Sequence, residues 1–370
     1  MKITYILPHK KFFTNHSGRT AHAKGIVDGL IKLNTDVTLI ADSKANFFFT
    51  NDNKLNYDLL SNKLNSFSFY YQIFKKIKTN KDGITIIRKS FFYIIISLLL
   101  SKKHLPKIIE INGLSNGSFQ SNTFLNKLIK IILIKIQKKI ILRHQYIYVV
   151  SNELKKILGN KANIKVIQNG CPDSFYNTKS LDYLNENKNL TFYFHGVLRQ
   201  YNDFVLMITS FDEFSKKNKN CRLLIYGFGE MKQEIISILS DLNNHKIKYM
   251  SSISLEKLSE EKFIRGKSVG IVPLKKTIHS KLLSPIKYFN YLSLGSAVIS
   301  ADHGEMNEIE NISTINYSAG SKHSLISAFK RYYNLGDNDW VNIFEESKII
   351  VKNNSWEARM NELLRFAKII

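Results

Sequence analysis

The feature that most constrains the fold is an alternation of short apolar runs with helical segments along almost all of the 370 residues. In the first half, the strand-like runs are Lys2–Leu7, Asp36–Ala41, Gly83–Ile87, Pro106–Ile111, Tyr146–Val150 and Ile164–Ile167. In the second half they are Thr191–His195, Cys221–Tyr226, Ile247–Met250, Ser268–Val272 and Ser296–Ser300. This alternation predicts an α/β protein whose parallel sheets are flanked by helices.

The length of the chain predicts more than one domain, because single hydrophobic cores seldom organise 370 residues. A polar, Asn-rich stretch at 177–189 has the composition of an interdomain connection. We therefore predict domains at 1–175 and 190–340, both doubly wound and Rossmann-like, facing each other across a cleft. Ligands of such folds bind at the carboxyl ends of the strands, which makes the cleft the expected site.

Cysteine content and apolar runs indicate a cytoplasmic protein. Cys171 and Cys221 have neither disulfide-framework nor metal-ligand spacing, and the ten histidines form no ligand cluster. The apolar run at the N-terminus is too short for a signal peptide. The longest apolar run, Phe91–Leu100, is shorter than the roughly 20 residues of a spanning helix. It lies between two basic pairs, so it is either a core helix or an interfacial one.

The positive charge is concentrated in the first half. Residues 1–170 contain 28 Lys and Arg against 8 Asp and Glu, whereas residues 171–370 contain 26 against 22. A general enrichment in lysine explains part of the net charge of +24 but not this asymmetry. The remainder indicates an anionic partner, either membrane lipid or nucleic acid. No nucleic-acid recognition motif accompanies the charge, so nucleic acid is the less favoured partner.

A basic helix is predicted over Phe124–Arg143. Its lysines fall within about half of the helical circumference and leave an Ile/Leu face opposite. They are Lys127, Lys130, Lys135, Lys138 and Lys139. The helix either exposes a solvated lysine face over a core or contacts an anionic membrane, where each cation contributes about 1 kcal/mol.

A second predicted helix begins at Ser284-Pro285. Serine can cap the first free amides, and proline suits the first helical turn. The N-terminal end of this helix offers free N–H groups and partial positive charge, to which Lys287 adds a full charge. The segment therefore predicts a seat for a diphosphate.

The run from Ser284 to Ser300 resembles the donor-site signature of retaining glycosyltransferase family 4, S-P-x-K-x-x-E-Y-x-x-x-G-x-P-V-I, which a further glutamate follows; Glu308 matches it. The resemblance extends to V-I-Q-N-G at 166–170, H-G-V-L at 195–198, L-L-I-Y-G-F-G at 223–229 and S-W-E at 355–357. It implies the GT-B fold, with an acceptor-binding first domain, a nucleotide-sugar-binding second domain and a terminal helix at 341–370 that crosses back to the first.

The resemblance also implies the activity. A sugar would pass, with retention and without metal or other cofactor, from a nucleotide diphosphate to a lipid-linked or glycan acceptor in bacterial surface polysaccharide or glycolipid synthesis. The enzyme would be peripheral on the inner face of the plasma membrane. Donor-binding positions would be Gly18, Gly196, Arg199, Gly227, Gly229, Ser251, Ser284, Pro285, Lys287, Asn290 and Glu308. Catalytic positions would be Asn112, Lys287 and Asn290.

Some positions depart from the family pattern. Relatives carry two glutamates eight positions apart, where this chain has Leu282 and Asn290. The usual diphosphate-gripping Arg and Lys are replaced by Val197 and Asn202. Two alternatives therefore remain: a catalytically impaired donor-binding subunit of a transferase, and a basic nucleic-acid-binding protein. Asp337-Asn338-Asp339 has the form of a metal motif, but its setting predicts a helix start.

Overall fold

The computed structural model describes residues 1–13, 17–49, 52–80, 83–114, 124–172, 189–309 and 311–370, with the backbone alone described at 124–131 and 308. The chain forms two compact units. The first comprises Met1–Gln168 and Arg359–Ile370, and the second comprises Asn169–Ala358. Each unit is a parallel sheet flanked by helices, as the sequence predicts.

The sheet of the first unit has seven parallel strands. They are β1 (Lys2–Ile6), β2 (Asp36–Asp42), β3 (Leu55–Leu60), β4 (Ile84–Arg88), β5 (Ile108–Ile111), β6 (Tyr146–Val149) and β7 (Ile164–Val166). Their order is β3-β2-β1-β4-β5-β6-β7, and every pair is parallel. The order reverses between β1 and β4, which is the topological switch point of a doubly wound sheet.

Helices connect the strands of the first unit. They are α1 (Gly18–Lys32), α2 (Ser66–Thr79), α3 (Phe91–Leu98), α4 (Phe124–Ile141) and α5 (Asn152–Leu158). Helix α3 begins where the Ser90 side chain accepts a hydrogen bond from the Tyr93 amide. Helix α5 ends at Gly159, whose φ of 107° is a left-handed conformation that glycine adopts readily.

The sheet of the second unit has six parallel strands. They are β8 (Leu190–Val197), β9 (Cys221–Phe228), β10 (Ile247–Met250), β11 (Ser268–Val272), β12 (Ala297–Ala301) and β13 (Thr314–Tyr317). Their order is β10-β9-β8-β11-β12-β13. The switch point lies between β8 and β11, and the core beneath it is apolar and aromatic.

The helices of the second unit are α6 (Phe204–Lys217), α7 (Lys232–Leu242), α8 (Leu255–Glu260), α9 (Lys262–Arg265), α10 (Ile278–Lys281), α11 (Ile286–Ser293), α12 (Lys322–Tyr333) and α13 (Asp337–Asn353). Asp337 and Asp339 lie in the first turn of α13, and Asp339 accepts a hydrogen bond from the Gly336 amide. The helix start predicted at these residues is confirmed.

In the C-terminal segment 341–370, the sequence resemblance places the start of the terminal helix at Ser355-Trp356-Glu357. This segment contains the end of α13 and a separate helix, α14 (Trp356–Phe366). Only Arg359–Ile370 belong to the first unit, where Glu362 pairs with Lys165 at 3.0 Å. At the break between the two helices, the Cys171 amide donates to the Asn354 carbonyl at 2.7 Å, and the Trp356 ring and backbone cover Gly170.

The eleven predicted strands all form, with ends shifted by a few residues. The prediction missed β3 and β13, which are the outermost strands of one edge of each sheet. Edge strands need not be continuously apolar, and β3 is mostly half-buried or exposed. The second unit begins at Asn169, ahead of the predicted boundary, and most of the Asn-rich stretch at 177–189 lies outside the described residues.

Candidate functional site

In the second unit, the predicted donor residues collect at the switch point between β8 and β11. Tyr291 on α11 joins these elements, because its hydroxyl accepts a hydrogen bond from the His195 amide at 3.0 Å and its ring packs on Gly270 of β11. Strand β8 ends at His195-Gly196-Val197, directly at the start of the loop that carries Arg199. Carboxyl ends at a switch point form the usual ligand crevice of such folds.

Glycines bring the ends of β8 and β9 and the chain that follows them close together at this edge. Gly196 has a φ of 136°, and a Cβ there would lie 3.0 Å from the Lys287 Cε. Gly229 has a φ of 142°, and its Cβ would lie 2.6 Å from the Leu198 carbonyl oxygen. The space beside Gly227 is filled by the Gly196 carbonyl and the Leu198 side chain. These positions accept only glycine, so the predicted glycines shape the site by close backbone approach.

Lys287 and Arg199 are the cations of this site. The Lys287 ammonium lies 5.2 Å from the centroid of the Phe194 ring. Burial, to which the nearby Arg199 guanidinium adds, lowers the pKa of Lys287 to about 8. Within the described part of the chain, no carboxylate forms an ion pair with either side chain. Two cations that influence each other, without a counter-charge among the described side chains, favour the binding of an anion.

The lowered pKa predicts how anion binding depends on pH. Only the protonated form of Lys287 attracts a phosphate, so affinity falls as the pH rises through about 8. Between pH 7 and pH 9 we expect about a tenfold loss of affinity for a nucleoside diphosphate, following the protonated fraction. Calorimetric titration across this range measures the effect. In Lys287→Arg, whose guanidinium stays charged, the profile should be flat; an identical slope in both proteins would contradict the prediction.

The start of α11 differs in detail from the prediction. Ser284 does not cap the helix, because Pro285 occupies the N-cap position and no side chain caps the free amides. The Ser284 hydroxyl accepts instead from the Asn169 amide at 3.1 Å, and the Asn169 side chain donates to the Ser284 carbonyl. The amides at the helix start are thus left without a side-chain cap, which suits an external anion.

Asn290 lies on α11, one turn beyond Lys287. It is half-buried, and no described residue hydrogen-bonds to its side-chain amide. The amide is therefore available to a ribose or sugar hydroxyl. Leu282 is buried and apolar, so it offers no hydrogen bond in place of the family glutamate.

The remaining predicted donor positions lie on neighbouring loops. Ser251 is exposed directly after β10. Glu308 ends the 3₁₀ helix Gly304–Glu308 that follows β12, and its side chain lies outside the described residues.

His195 belongs to the predicted H-G-V-L motif but not to the predicted donor-binding or catalytic residues. Its Nε2 contacts the Ile253 carbonyl at 2.9 Å, and its pKa is lowered by burial and also by the charge of Lys287. It is therefore a neutral imidazole that does not add charge beside the two cations. The sequence signal for His195 was its place in H-G-V-L, directly before Gly196 at the end of a predicted strand.

The first unit contains a buried ionic network at its own switch point. Glu110 of β5 is fully buried and accepts from the Tyr5 hydroxyl at 2.6 Å. It forms an ion pair with Arg88 at 2.9 Å, and its carboxylate lies 2.9 Å from the His22 Nε2. Although burial opposes ionisation, Arg88 and His22 lower the pKa of Glu110 to about 2. The network thus connects β1, β4, β5 and α1 through one carboxylate.

The predicted catalytic residue Asn112 belongs to this network, because its side chain donates to Glu110. Gly18 is the first residue of α1 and is exposed. Lys89 follows β4 and donates to the Gly113 carbonyl at 3.0 Å; burial lowers its pKa to about 8. The sequence prediction did not include Glu110, although a lone glutamate within the apolar run I-I-E-I is the signal that reveals it.

The predicted membrane-contact lysines lie on α4. Lys135 and Lys139 are exposed and Lys138 is half-buried, whereas the side chains of Lys127 and Lys130 lie outside the described residues. Ile132 and Ile136 are exposed as well, whereas Gln137 and Ile140 are buried. The described exposed part of α4 therefore includes isoleucine as well as lysine, and membrane contact through its lysines stays a prediction.

The described residues contain neither a membrane-spanning helix nor a cluster of metal-ligand side chains. No helix is both long enough and apolar enough to cross a membrane. No group of three or more His, Cys, Asp or Glu side chains is placed to hold a metal ion.

Comparison with known proteins identifies similarity of structure only. The sequence matches no protein-family model and no curated protein. The structure is similar to sucrose-phosphate synthase from Thermosynechococcus elongatus, with a TM-score of 0.74, 10% identity and coverage of 100% of this chain and 98% of the other. It is also similar to HepE of Anabaena in complex with UDP and glucose (TM-score 0.70, 12% identity, coverage 99% and 98%). A third similar structure is the lipopolysaccharide outer core galactosyltransferase WaaB (TM-score 0.62, 12% identity, coverage 99% of both chains). The predicted GT-B fold is confirmed.

Proposed function

We propose that the chain is a glycosyltransferase that transfers a sugar from a nucleotide diphosphate donor. The observation that carries the proposal is the Lys287–Arg199 pair, two cations without an acidic partner among the described side chains, beside the glycine loops and the uncapped start of α11. A diphosphate supplies the charge that this arrangement lacks. The fold supports the proposal, since the similar structures include HepE in complex with UDP and glucose.

In the proposed reaction, the second unit stabilises the leaving nucleoside diphosphate. As the bond from the sugar to the diphosphate breaks, negative charge accumulates on the phosphate oxygens. Lys287, Arg199 and the free amides of α11 would offset that charge without rearranging. Asn290 would hold a hydroxyl of the ribose or sugar, and the backbone near Gly229 and Ser251 would hold the base. The proposed transfer retains the anomeric configuration and needs no metal ion.

The proposed acceptor is a lipid-linked saccharide or glycan of a bacterial surface polysaccharide or glycolipid. The basic first half supports this, because an acceptor in an anionic membrane favours a cationic enzyme surface. The similar structures include a lipopolysaccharide galactosyltransferase. The proposed location is cytoplasmic, on the inner face of the plasma membrane, and the first unit is the proposed acceptor-binding domain, in which Asn112 would be catalytic and Gly18 would approach the donor.

A calorimetric and thermal-shift screen tests the proposal. Purified protein is titrated with UDP, GDP, CMP and their sugar conjugates, with duplex DNA as the control. We expect selective binding of one nucleoside diphosphate in the micromolar range, which names the donor class. Absence of nucleotide binding together with salt-sensitive DNA binding would contradict the proposal and favour a nucleic-acid-binding protein.

Leu282 and Asn290 favour a second candidate, a donor-binding subunit with impaired catalysis. Because Asn290 has a free amide beside the cations, we predict that Asn290→Glu preserves or strengthens donor binding by restoring a charge-assisted hydrogen bond to a diol. Turnover that rises in this variant while wild-type protein binds donor without turnover would support the impaired subunit. A collapse of donor binding in Asn290→Glu would place residue 290 away from the ribose. Asn342→Glu, a substitution of the same kind on α13, is the matched control.

A further inference from the structure

The first unit exposes a cluster of large apolar side chains on α2 and α3. This aromatic patch consists of Phe67, Tyr71, Phe91, Phe92, Ile95, Leu98 and Leu99. Phe67 is 82% exposed and Leu99 is 75% exposed, which is unusual for side chains of this size. A contiguous exposed patch of this kind marks an interaction surface.

The patch is continuous across both helices. Tyr70 of α2 stacks on Phe92 of α3 with 4.2 Å between ring centroids. Phe67 and Tyr71 lie one turn apart on α2, with their rings parallel at 6.5 Å. The exposed residues of α3 recur at helical spacing and so occupy one face.

This face is held outward by the packing of the opposite side of α3. Tyr93 is buried, and its hydroxyl lies 2.6 Å from the His144 Nε2. The Arg143 guanidinium donates to the carbonyls of Ser97 and Leu100, each at 2.8 Å. Rotation of α3 to bury the patch would break these bonds, so its exposure is a fixed property of the unit.

The surroundings of the patch are cationic. The sequence contains no Asp or Glu at 59–81 or 83–109, where ten Lys and Arg occur. Exposed lysines near the patch in the sequence are Lys63, Lys75, Lys78, Lys102 and Lys103. Lys75 and Lys78 continue the stripe of α2 that begins with Phe67 and Tyr71.

We propose that the aromatic patch inserts into the interfacial layer of an anionic lipid bilayer, with the surrounding lysines on the headgroups. Aromatic and aliphatic side chains next to lysines are the composition of elements that lie in a membrane surface. A second copy of the chain is disfavoured, because self-pairing of the patch would place lysines against lysines. Nucleic acid would satisfy the lysines but leave the apolar side chains in water.

The run Phe91–Leu100, predicted to be either a core helix or an interfacial helix, thus has one face in the core and one face at the membrane interface. The proposed membrane contact deepens the proposed function by assigning the element that brings the enzyme to a lipid-linked acceptor. In that respect it rests on the proposed function. The vesicle measurements below contain neither donor nor acceptor, so their outcome is independent of whether the chain is a transferase.

Vesicle co-sedimentation of the full chain tests the proposal. We expect binding to phosphatidylcholine vesicles that contain 30% phosphatidylglycerol, and at least tenfold weaker binding by Phe67→Ser/Leu99→Ser. Lys102→Glu/Lys103→Glu should lose binding to a similar degree. Ile349→Ser, at a residue of α13 that is 62% exposed, is the matched control and should bind as wild type. Unchanged binding in both double variants would overturn the proposal.

A fluorescence measurement separates insertion from charge attraction alone. In Phe67→Trp, lipids brominated near the headgroup should quench the new tryptophan, whereas Ile349→Trp should show only the background of Trp340 and Trp356, which are buried. Binding without quenching at position 67 would overturn insertion. Self-association of the wild-type chain without vesicle binding, abolished in Phe67→Ser/Leu99→Ser, would assign the patch to a second copy instead.

Discussion

Substitution of Lys287 by alanine is expected to weaken binding of the nucleoside diphosphate at least tenfold. The ammonium lies beside Gly196 and close to Arg199, and its interaction with a phosphate would be charge-assisted. A hydrogen bond to a charged group contributes about 1.5–3 kcal/mol, which corresponds to roughly a ten- to hundredfold change in affinity. Isothermal titration with the nucleotide selected by the screen measures the loss.

Removal of the Lys287 charge with its side-chain volume kept should not destabilise the protein. A half-buried ammonium without a counter-charge among the described side chains costs free energy in the unliganded state, in line with its lowered pKa. Lys287→Met, which keeps much of the side-chain volume next to Phe194, should therefore unfold at the same or a higher temperature than wild type. Lys352→Ala, on the exposed side of α13, is the control for loss of a lysine. Unchanged affinity in Lys287→Ala would remove Lys287 from the phosphate site; a lower unfolding temperature in Lys287→Met would show that its role is structural.

The sequence predicts the central strands well because buried parallel strands are nearly continuous apolar runs. Runs such as Val269–Val272 in β11 have no other plausible location than a core. Strand β3 was missed because its sequence, L-N-Y-D-L-L, is buried only at its ends and lies at an edge. The burial pattern of a strand thus determines whether the sequence predicts it: central buried strands are found, and the half-exposed edge strand β3 is not.

The candidate site was predicted where its residues are close in sequence. Lys287 and Asn290 share one helix, and Gly227 and Gly229 lie at the end of β9 and directly after it, so a local motif reveals them. Ser284 was assigned to the wrong partner, because its hydroxyl contacts Asn169, which is 115 residues away. Capping rules consider only neighbouring residues, so they cannot predict a hydrogen bond between Ser284 and a residue as distant in sequence as Asn169.

The buried network of the first unit shows the same limit. Glu110 and Tyr5 are 105 residues apart, and only the order β1-β4-β5 brings them together. The sequence could identify Glu110 as a carboxylate in an apolar strand, which requires a partner. The sequence could not identify Arg88, His22 and Tyr5 as the partners of Glu110, since the first unit contains many other basic and hydroxyl-bearing residues.

Substitution of Glu110 by glutamine is expected to be the most destabilising single change in the first unit. Glutamine keeps the shape but leaves Arg88 buried without its counter-ion. Removal of one partner of a buried ion pair costs about 3–5 kcal/mol. In a unit of this size, such a loss lowers the unfolding temperature by roughly 6–20 °C. Glu153→Gln, which breaks the surface pair with Lys156, should cost less than about 1 kcal/mol.

Because the chain has two units, a single unfolding temperature is not sufficient. Hydrogen exchange of peptides from β1, β4 and β5 localises the effect: Glu110→Gln should accelerate their exchange and leave β8 and β11 unchanged. Equal acceleration in both units would contradict a local network. Loss of donor-dependent activity with intact nucleotide binding would further indicate that the network positions Asn112, whose side chain donates to Glu110.

The effect of Glu110→Gln on the free energy of unfolding should depend on pH, and this dependence is the decisive control. The pKa of Glu110 is lowered from 4.5 to about 2, so its ionised form stabilises the folded unit fully above pH 4.5, and this contribution is lost as the pH falls towards 2. The difference in unfolding free energy between wild type and Glu110→Gln should therefore be largest and constant from pH 5 to pH 7. It should narrow progressively between pH 4.5 and pH 3, where the wild-type carboxylate gradually loses its advantage over the neutral amide. A difference that stays constant down to pH 3 would show that glutamine is destabilising through its shape, and that the charge on Glu110 contributes nothing to the network.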